Sequence, residues 1–160
     1  MADQSFAVTL AHPHTALLRA VNPLVGRLLR SRLAGSLRRH LMVVNVTGRK
    51  SGRRYSIPLS AHRIDGVLYA LTSAAWKNNF RGGADAEVVH DGKTASMRGE
   101  LITDPGAVAD VSHRCAQSWG VKRAQTMMGL KFRDDRIPTV EEFEEAARRE
   151  RYAAVRFTPA

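Results

Sequence analysis

The apolar positions of this 160-residue chain change period along its length, and each change marks a new kind of element. From His14 to about Gly35 the period is helical. Leu17, Val21, Leu24 and Leu28 step by four, three and four, and Leu18, Val25, Leu29 and Leu33 lie beside them. Asn22-Pro23 interrupts this stripe as an N-cap followed by a first helical residue, so two short helices or one kinked helix are expected. The residues before it, 1–13, read as a loose leader, and residues 14–160 as a single domain.

The middle of the chain is strand-like. His40–Thr47 is apolar and β-branched, and Arg54–Arg63 follows after a glycine-bracketed turn. Asp65-Gly66 and Asp91-Gly92 are hairpin signals, with Val67–Ser73, Ala86–His90 and Thr94–Thr103 as the strands around them. Pro58 within a strand pattern points to an edge or a bulge, because proline gives the ladder no N–H. The last third is helical again. Asp104-Pro105 opens a segment whose apolar residues Val108, Val111, Cys115 and Trp119 recur at helical spacing, and Ala124–Met128 is a short helix. Thr139 and Glu142 form a capping box for a helix to about Arg151, and Tyr152–Thr158 is a final β-prone stretch. The expected class is α+β with a mainly β core. It takes the form of a split β-barrel of about six antiparallel strands, an antiparallel meander with an N-terminal helix and C-terminal helices.

Charge adds a second pattern. The formal net charge is +10, yet residues 1–54 hold ten Lys/Arg and one acid, leaving near neutrality for the rest. Arg19, Arg27, Arg30 and Arg32 lie off the apolar stripe of the first helix. That face is either a solvated helix surface or a contact with an anionic membrane through residues 14–39. Nucleic-acid binding is disfavoured, since only Phe6 precedes Tyr55 among aromatics and base stacking has no support there. No run of about 18 apolar residues occurs, and MADQSFAVTL lacks the pattern of a secretory signal. A single cysteine, Cys115, excludes an internal disulfide and agrees with a reducing cytosol; cytoplasmic location, with or without membrane association, is the expectation.

Residues 47–59, Thr-Gly-Arg-Lys-Ser-Gly-Arg-Arg-Tyr-Ser-Ile-Pro-Leu, carry the main chemical signal. Gly48 and Gly52 bracket Arg49, Lys50 and Ser51, with Arg53 and Arg54 following. Glycine lets a backbone approach a ligand closely, successive N–H groups can cradle an anion, and arginine adds bidentate donation to phosphate. The spacing is not that of a Walker A loop. The same residues also suit a solvated basic hairpin tip, and spacing alone leaves both readings open. Ser73-Ala74-Ala75-Trp76-Lys77-Asn78-Asn79-Phe80 offers an indole to wall a flat ring and amides to bond its edge; a capped surface turn is the plainer reading. The histidines His12, His14, His40, His62, His90 and His113 show no metal-ligand spacing, so no metal site is expected. No Gly-x-Ser-x-Gly elbow or paired-acid arrangement is present.

Taken in order, the Gly-Arg-Lys-Ser-Gly turn, Arg54, Pro58-Leu59, Ser73 and Trp76-x-x-Asn79-Phe80-Arg81-Gly82-Gly83 resemble the deazaflavin-dependent nitroreductase family of actinobacteria, within the flavin-binding split β-barrel superfamily. The resemblance covers roughly residues 15–103. It implies binding of coenzyme F420, a deazaflavin with a phosphate and an acidic polyglutamyl tail, with FMN as the alternative ligand. It places Gly48, Arg49, Lys50, Ser51, Gly52 and Arg54 at the phosphate and tail. Pro58 and Leu59 fall along the ring system, with Ser73, Trp76, Asn78 and Asn79 bordering the cofactor. It also implies hydride transfer to a quinone, nitro compound or activated alkene, a small-molecule electron acceptor, and pairing as a homodimer. Ser73 and His113 are the candidate proton sources. Two features depart from the family: only Ala74 and Ala75 separate Ser73 from Trp76, and no tyrosine lies between Tyr69 and Tyr152. A non-catalytic carrier of a flavin or deazaflavin, docked on an anionic membrane surface, is the alternative expectation.

Overall fold

The computed structural model describes residues 5–11 and 37–160. The basic helix expected from His14, and with it the membrane contact through 14–39, lies outside the described residues apart from a short helical turn, α1 (Leu37–His40). So do His12, His14 and the leader boundary at residue 13. The described chain forms two compact units, one from residues 37–70, 75–101 and 155–160, the other from 5–11, 71–74 and 102–154. The fold class is α+β with a β-rich core, as the period changes predict.

The first unit is built on a mostly antiparallel sheet that curls as a half-barrel. Its strands are β2 (Leu41–Thr47), β3 (Arg54–Ser60), β4 (His62–Ile64), β5 (Val67–Thr72), β6 (Ala84–His90), β7 (Lys93–Ile102) and β9 (Ala153–Pro159). Their spatial order is β3-β2-β6-β7-β9-β5-β4. This departs from the expected meander, because the last strand inserts between β7 and β5. The Arg54–Arg63 stretch is also two strands, broken at the buried Ala61. Pro58 does sit on an edge strand, where its missing N–H costs no ladder bond. Both hairpin tips take left-handed backbone at their first residue, Asp65 (φ 51°) and Asp91 (φ 50°), matching the twist of the strands they join.

β2 is buried on both faces, which explains its unbroken apolar run. Met42, Val44 and Val46 enter a core with Val88, Phe80, Val155 and Phe157. Phe80 meets Phe157 edge to face at 5.5 Å between ring centres. Val43 and Val89 cluster on the opposite face. Asn45, also buried there, is satisfied by donating to Glu87 Oε1 (3.2 Å) and accepting from Ser56. His62 is only 2% exposed, and burial pushes its imidazole down to about 4, so it is neutral at physiological pH.

The second unit holds α2 (Pro105–Trp119), α3 (Val121–Met128), α4 (Val140–Glu150) and a small sheet of β1 (Val8–Leu10) with β8 (Leu130–Phe132). The leader is therefore not loose at Val8–Leu10. Val8 is buried, and Arg149 stacks over Phe6 at 3.9 Å and donates to the Val8 carbonyl, which ties the segment down. Asp104 caps α2 by accepting from the Ala107 N–H at 2.9 Å. The capping box of α4 forms in both directions, Glu142 N–H to Thr139 Oγ1 (3.1 Å) and Thr139 N–H to Glu142 Oε1 (3.0 Å). The hydrogen bond from Arg136 holds the Glu142 carboxyl down at about 2. Cys115 is fully buried, and desolvation pushes its thiol up to about 12, so it is a core residue rather than a nucleophile. The phenol of Tyr152 is buried and has no hydrogen-bond partner among the described residues.

Candidate functional site

The β2–β3 connection is a tight, cross-braced turn. Gly48 N–H donates to the Arg53 carbonyl at 2.7 Å, and Gly52 N–H to the Gly48 carbonyl at 3.0 Å. Arg53 N–H donates to Ser51 Oγ at 3.2 Å. Ser51 Oγ in turn lies 3.3 Å from the Tyr55 hydroxyl. Both glycines are needed. A Cβ on Gly48 would lie 2.8 Å from both Ser51 Oγ and the Tyr55 ring, and Gly52 has φ 68°. These bonds consume most of the turn's donors. Among the described residues, the N–H groups of Lys50 and Ser51 have no acceptor.

A 3₁₀ segment, Ala75–Phe80, forms the facing wall. Phe80 anchors it in the core, where Trp76 packs half-buried and meets Phe80 edge to face at 6.1 Å. Asn79 Nδ2 donates to the Trp76 carbonyl at 3.0 Å, while its Oδ1 accepts from the Arg49 N–H at 3.1 Å. The Arg49 guanidinium donates to the Arg81 carbonyl at 2.7 Å. Turn and segment enclose an open groove of about 890 Å³, within the roughly 300–1,000 Å³ typical of small-molecule sites. Gly48, Arg49, Lys50, Ser51, Tyr55, Ala75, Trp76, Asn78, Asn79 and Arg81 line it.

The electrostatics are one-sided. Among the described residues, no carboxylate, histidine or cysteine lines the groove. Among the described residues, Arg49, Lys50, Arg53 and Arg81 form no ion pair, whereas Arg54 reaches Glu87 at 3.6 Å. The groove lining thus brings together the Lys50 ammonium, the Arg81 guanidinium and, on Lys50 and Ser51, two N–H groups without an acceptor among the described residues. Trp76 and Tyr55 offer apolar surface and ring faces.

Of the residues singled out by sequence, the structure brings Gly48, Arg49, Lys50, Ser51, Trp76, Asn78 and Asn79 to this one groove. Gly52 shapes the turn without lining the groove, and Arg54 is directed to Glu87. Pro58 and Leu59 lie further along β3, with Leu59 packed against the core. Ser73, exposed at the end of β5, and His113, edge to face with Phe143 at 6.4 Å, do not line the groove. Tyr55, Ala75 and Arg81 are additions. Strand alternation held the signal for Tyr55, since it shares a face with Ile57 and Leu59 and is the one that runs past the core to the turn. No group of His, Cys, Asp and Glu suited to a metal occurs among the described residues.

Fold and site together define an α+β protein with a cationic, aromatic-walled groove beside the edge hairpin of its sheet. A search of solved structures finds the conserved hypothetical protein Rv2991 from Mycobacterium tuberculosis, at 14% identity and TM-score 0.46, covering 94% of this chain and 82% of that one. It also finds a structure described as a domain-swapped dimer, at 13% identity and TM-score 0.45, covering 91% and 100%. Both likenesses are too distant to carry more than that. No family model and no curated protein matches the chain.

Proposed function

We propose that the chain is an F420H2-dependent oxidoreductase that passes hydride to a quinone, nitro compound or activated alkene. The observation that carries this reading is the set of unpaired cations and open N–H groups on one side of a groove whose other wall is Trp76. A deazaflavin bearing a phosphate and an acidic tail fits that donor set. Lys50, Ser51 and Arg81 would hold its anionic groups, and Trp76, Tyr55 and Asn78 its ring system. When bound in reduced form, such a cofactor supplies the hydride. The protein contributes orientation, an apolar wall and positive potential. The Tyr55 hydroxyl, on a residue 40% exposed and within hydrogen-bond reach of Ser51, is the groove's candidate for delivering a proton to a reduced product.

Binding without turnover is the second reading, and one observation favours it: among the described residues, the lining holds no Asp, Glu, His or Cys to act as an acid or base near neutral pH. Oxidation of F420H2 by the full chain, with menadione and a nitroaromatic as acceptors, separates the two. Acceptor-dependent oxidation that is lost in Trp76→Ala supports the reductase. Tight F420 binding with no oxidation above the protein-free rate supports the carrier. FMN, which has the phosphate but no acidic tail, is expected to bind more weakly than F420; equal affinity would remove the tail from the account.

A further inference from the structure

We infer that Arg49 and Asn79 form a latch that fastens the turn to the Arg81 end of the Ala75–Phe80 segment and so positions the donors that meet an anion. The inference rests on the groove reading above and divides its residues by the bonds they already make. Arg49 braces twice, its backbone N–H on Asn79 Oδ1 (3.1 Å) and one guanidinium N–H on the Arg81 carbonyl (2.7 Å). Asn79 is spent in both directions, since its Nδ2 donates to the Trp76 carbonyl (3.0 Å). Among the described residues, the two Arg49 bonds are those that join turn and segment, across 30 and 32 positions of sequence.

The latch sets what remains for a ligand. With the Arg49 and Gly52 N–H groups withdrawn, the open donors of the turn are Lys50 and Ser51. Ser51 Oγ already accepts from the Arg53 N–H, and when Tyr55 donates as the second partner the Ser51 proton is free to reach a ligand oxygen. Arg49 also pins the backbone of Arg81, whose own side chain faces no carboxylate among the described residues. A preformed pair of walls lowers the ordering cost of binding. Arg49 and Asn79 therefore act on affinity through geometry, and the guanidinium N–H groups of Arg49 that the Arg81 carbonyl does not take stay open to an anion.

The test uses the full chain, with backbone amide exchange in the ligand-free protein and F420 titration at several salt concentrations. Asn79→Ala keeps every charge. It is expected to speed exchange of the Arg49 amide by about tenfold or more and to weaken F420 binding by about tenfold, with the salt dependence unchanged. Asn79→Asp, which retains an acceptor for the Arg49 N–H, is expected to restore the protection. Lys50→Ala is expected to leave Arg49 protection intact and to flatten the salt dependence. Unchanged Arg49 exchange in Asn79→Ala, or a flattened salt dependence in that variant, overturns the latch. If the wild-type chain binds no F420 the groove reading fails, and the exchange arm still decides the latch by itself.

Discussion

The arginines of the helical unit and the cations of the β2–β3 turn are the same chemistry put to opposite uses. In the helical unit Arg133, Arg136, Arg148 and Arg149 all face carboxylates, at distances from 2.6 Å (Arg136 to Glu142) to 3.9 Å (Arg133 to Glu142). Exposed pairs of this kind contribute little each, and they leave no charge seeking a partner. In the turn, Arg49, Lys50 and Arg53, and across the groove Arg81, have no ion pair among the described residues, and the Arg49 guanidinium donates to the Arg81 carbonyl. A positive field with no internal counter-charge tolerates solvent and favours an arriving anion.

The comparison breaks most sharply under charge reversal. Lys50→Glu with Arg81→Glu is expected to weaken F420 binding by roughly a thousandfold, about 4 kcal/mol, while Arg148→Glu leaves it unchanged. Titrations of the two variants side by side check this, and a comparable loss in both would dissolve the distinction between the regions.

Acid separates the regions next. His62, in the sheet unit, is held at about 4, below its ordinary 6.5. The unfolded chain takes up this proton first as pH falls, so stability present above 6.5 is lost on the way down to about 4. The loss amounts to roughly 3 kcal/mol. Urea melts across this window read it, and His62→Phe is expected to flatten the slope.

In the helical unit, the buried Tyr152 hydroxyl has no hydrogen-bond partner among the described residues. Tyr152→Phe is expected to raise stability by about 1 kcal/mol, measured by thermal melting; a loss would mean that the hydroxyl has a partner. The smallest effect belongs to Glu142, whose carboxyl is held at about 2 against an ordinary 4.5. Its contribution is present above pH 4.5 and fades as pH falls through about 2. Glu142→Gln is expected to cost about 0.5–1 kcal/mol at neutral pH and to leave the acid limb shallower below pH 4.5, a window distinct from that of His62.

Local chemistry was legible in the sequence. Asp104, the Thr139–Glu142 box, both Asp-Gly hairpins and the glycine-bracketed turn each depend on residues a few positions apart, and all formed as expected. What was not legible depends on distant partners. Nothing near Ala153–Pro159 encodes that this strand enters between β7 and β5. The three-residue β1 has too short a pattern to announce its pairing with Leu130–Phe132. At the site, the motifs named the groove's walls, but motif position could not tell a ligand contact from a brace. Arg49 and Asn79 became braces only once the 30-residue span between them was closed by a hydrogen bond.

A phosphate-bearing deazaflavin held by Lys50 and Arg81 must lose its grip when both charges are reversed. Fluorescence titration of the full chain with F420 tests it most directly. The account predicts saturable binding below roughly ten micromolar that weakens as salt rises and is abolished by the Lys50→Glu, Arg81→Glu variant. No binding at roughly tens of micromolar, or binding indifferent to that double reversal, would contradict it.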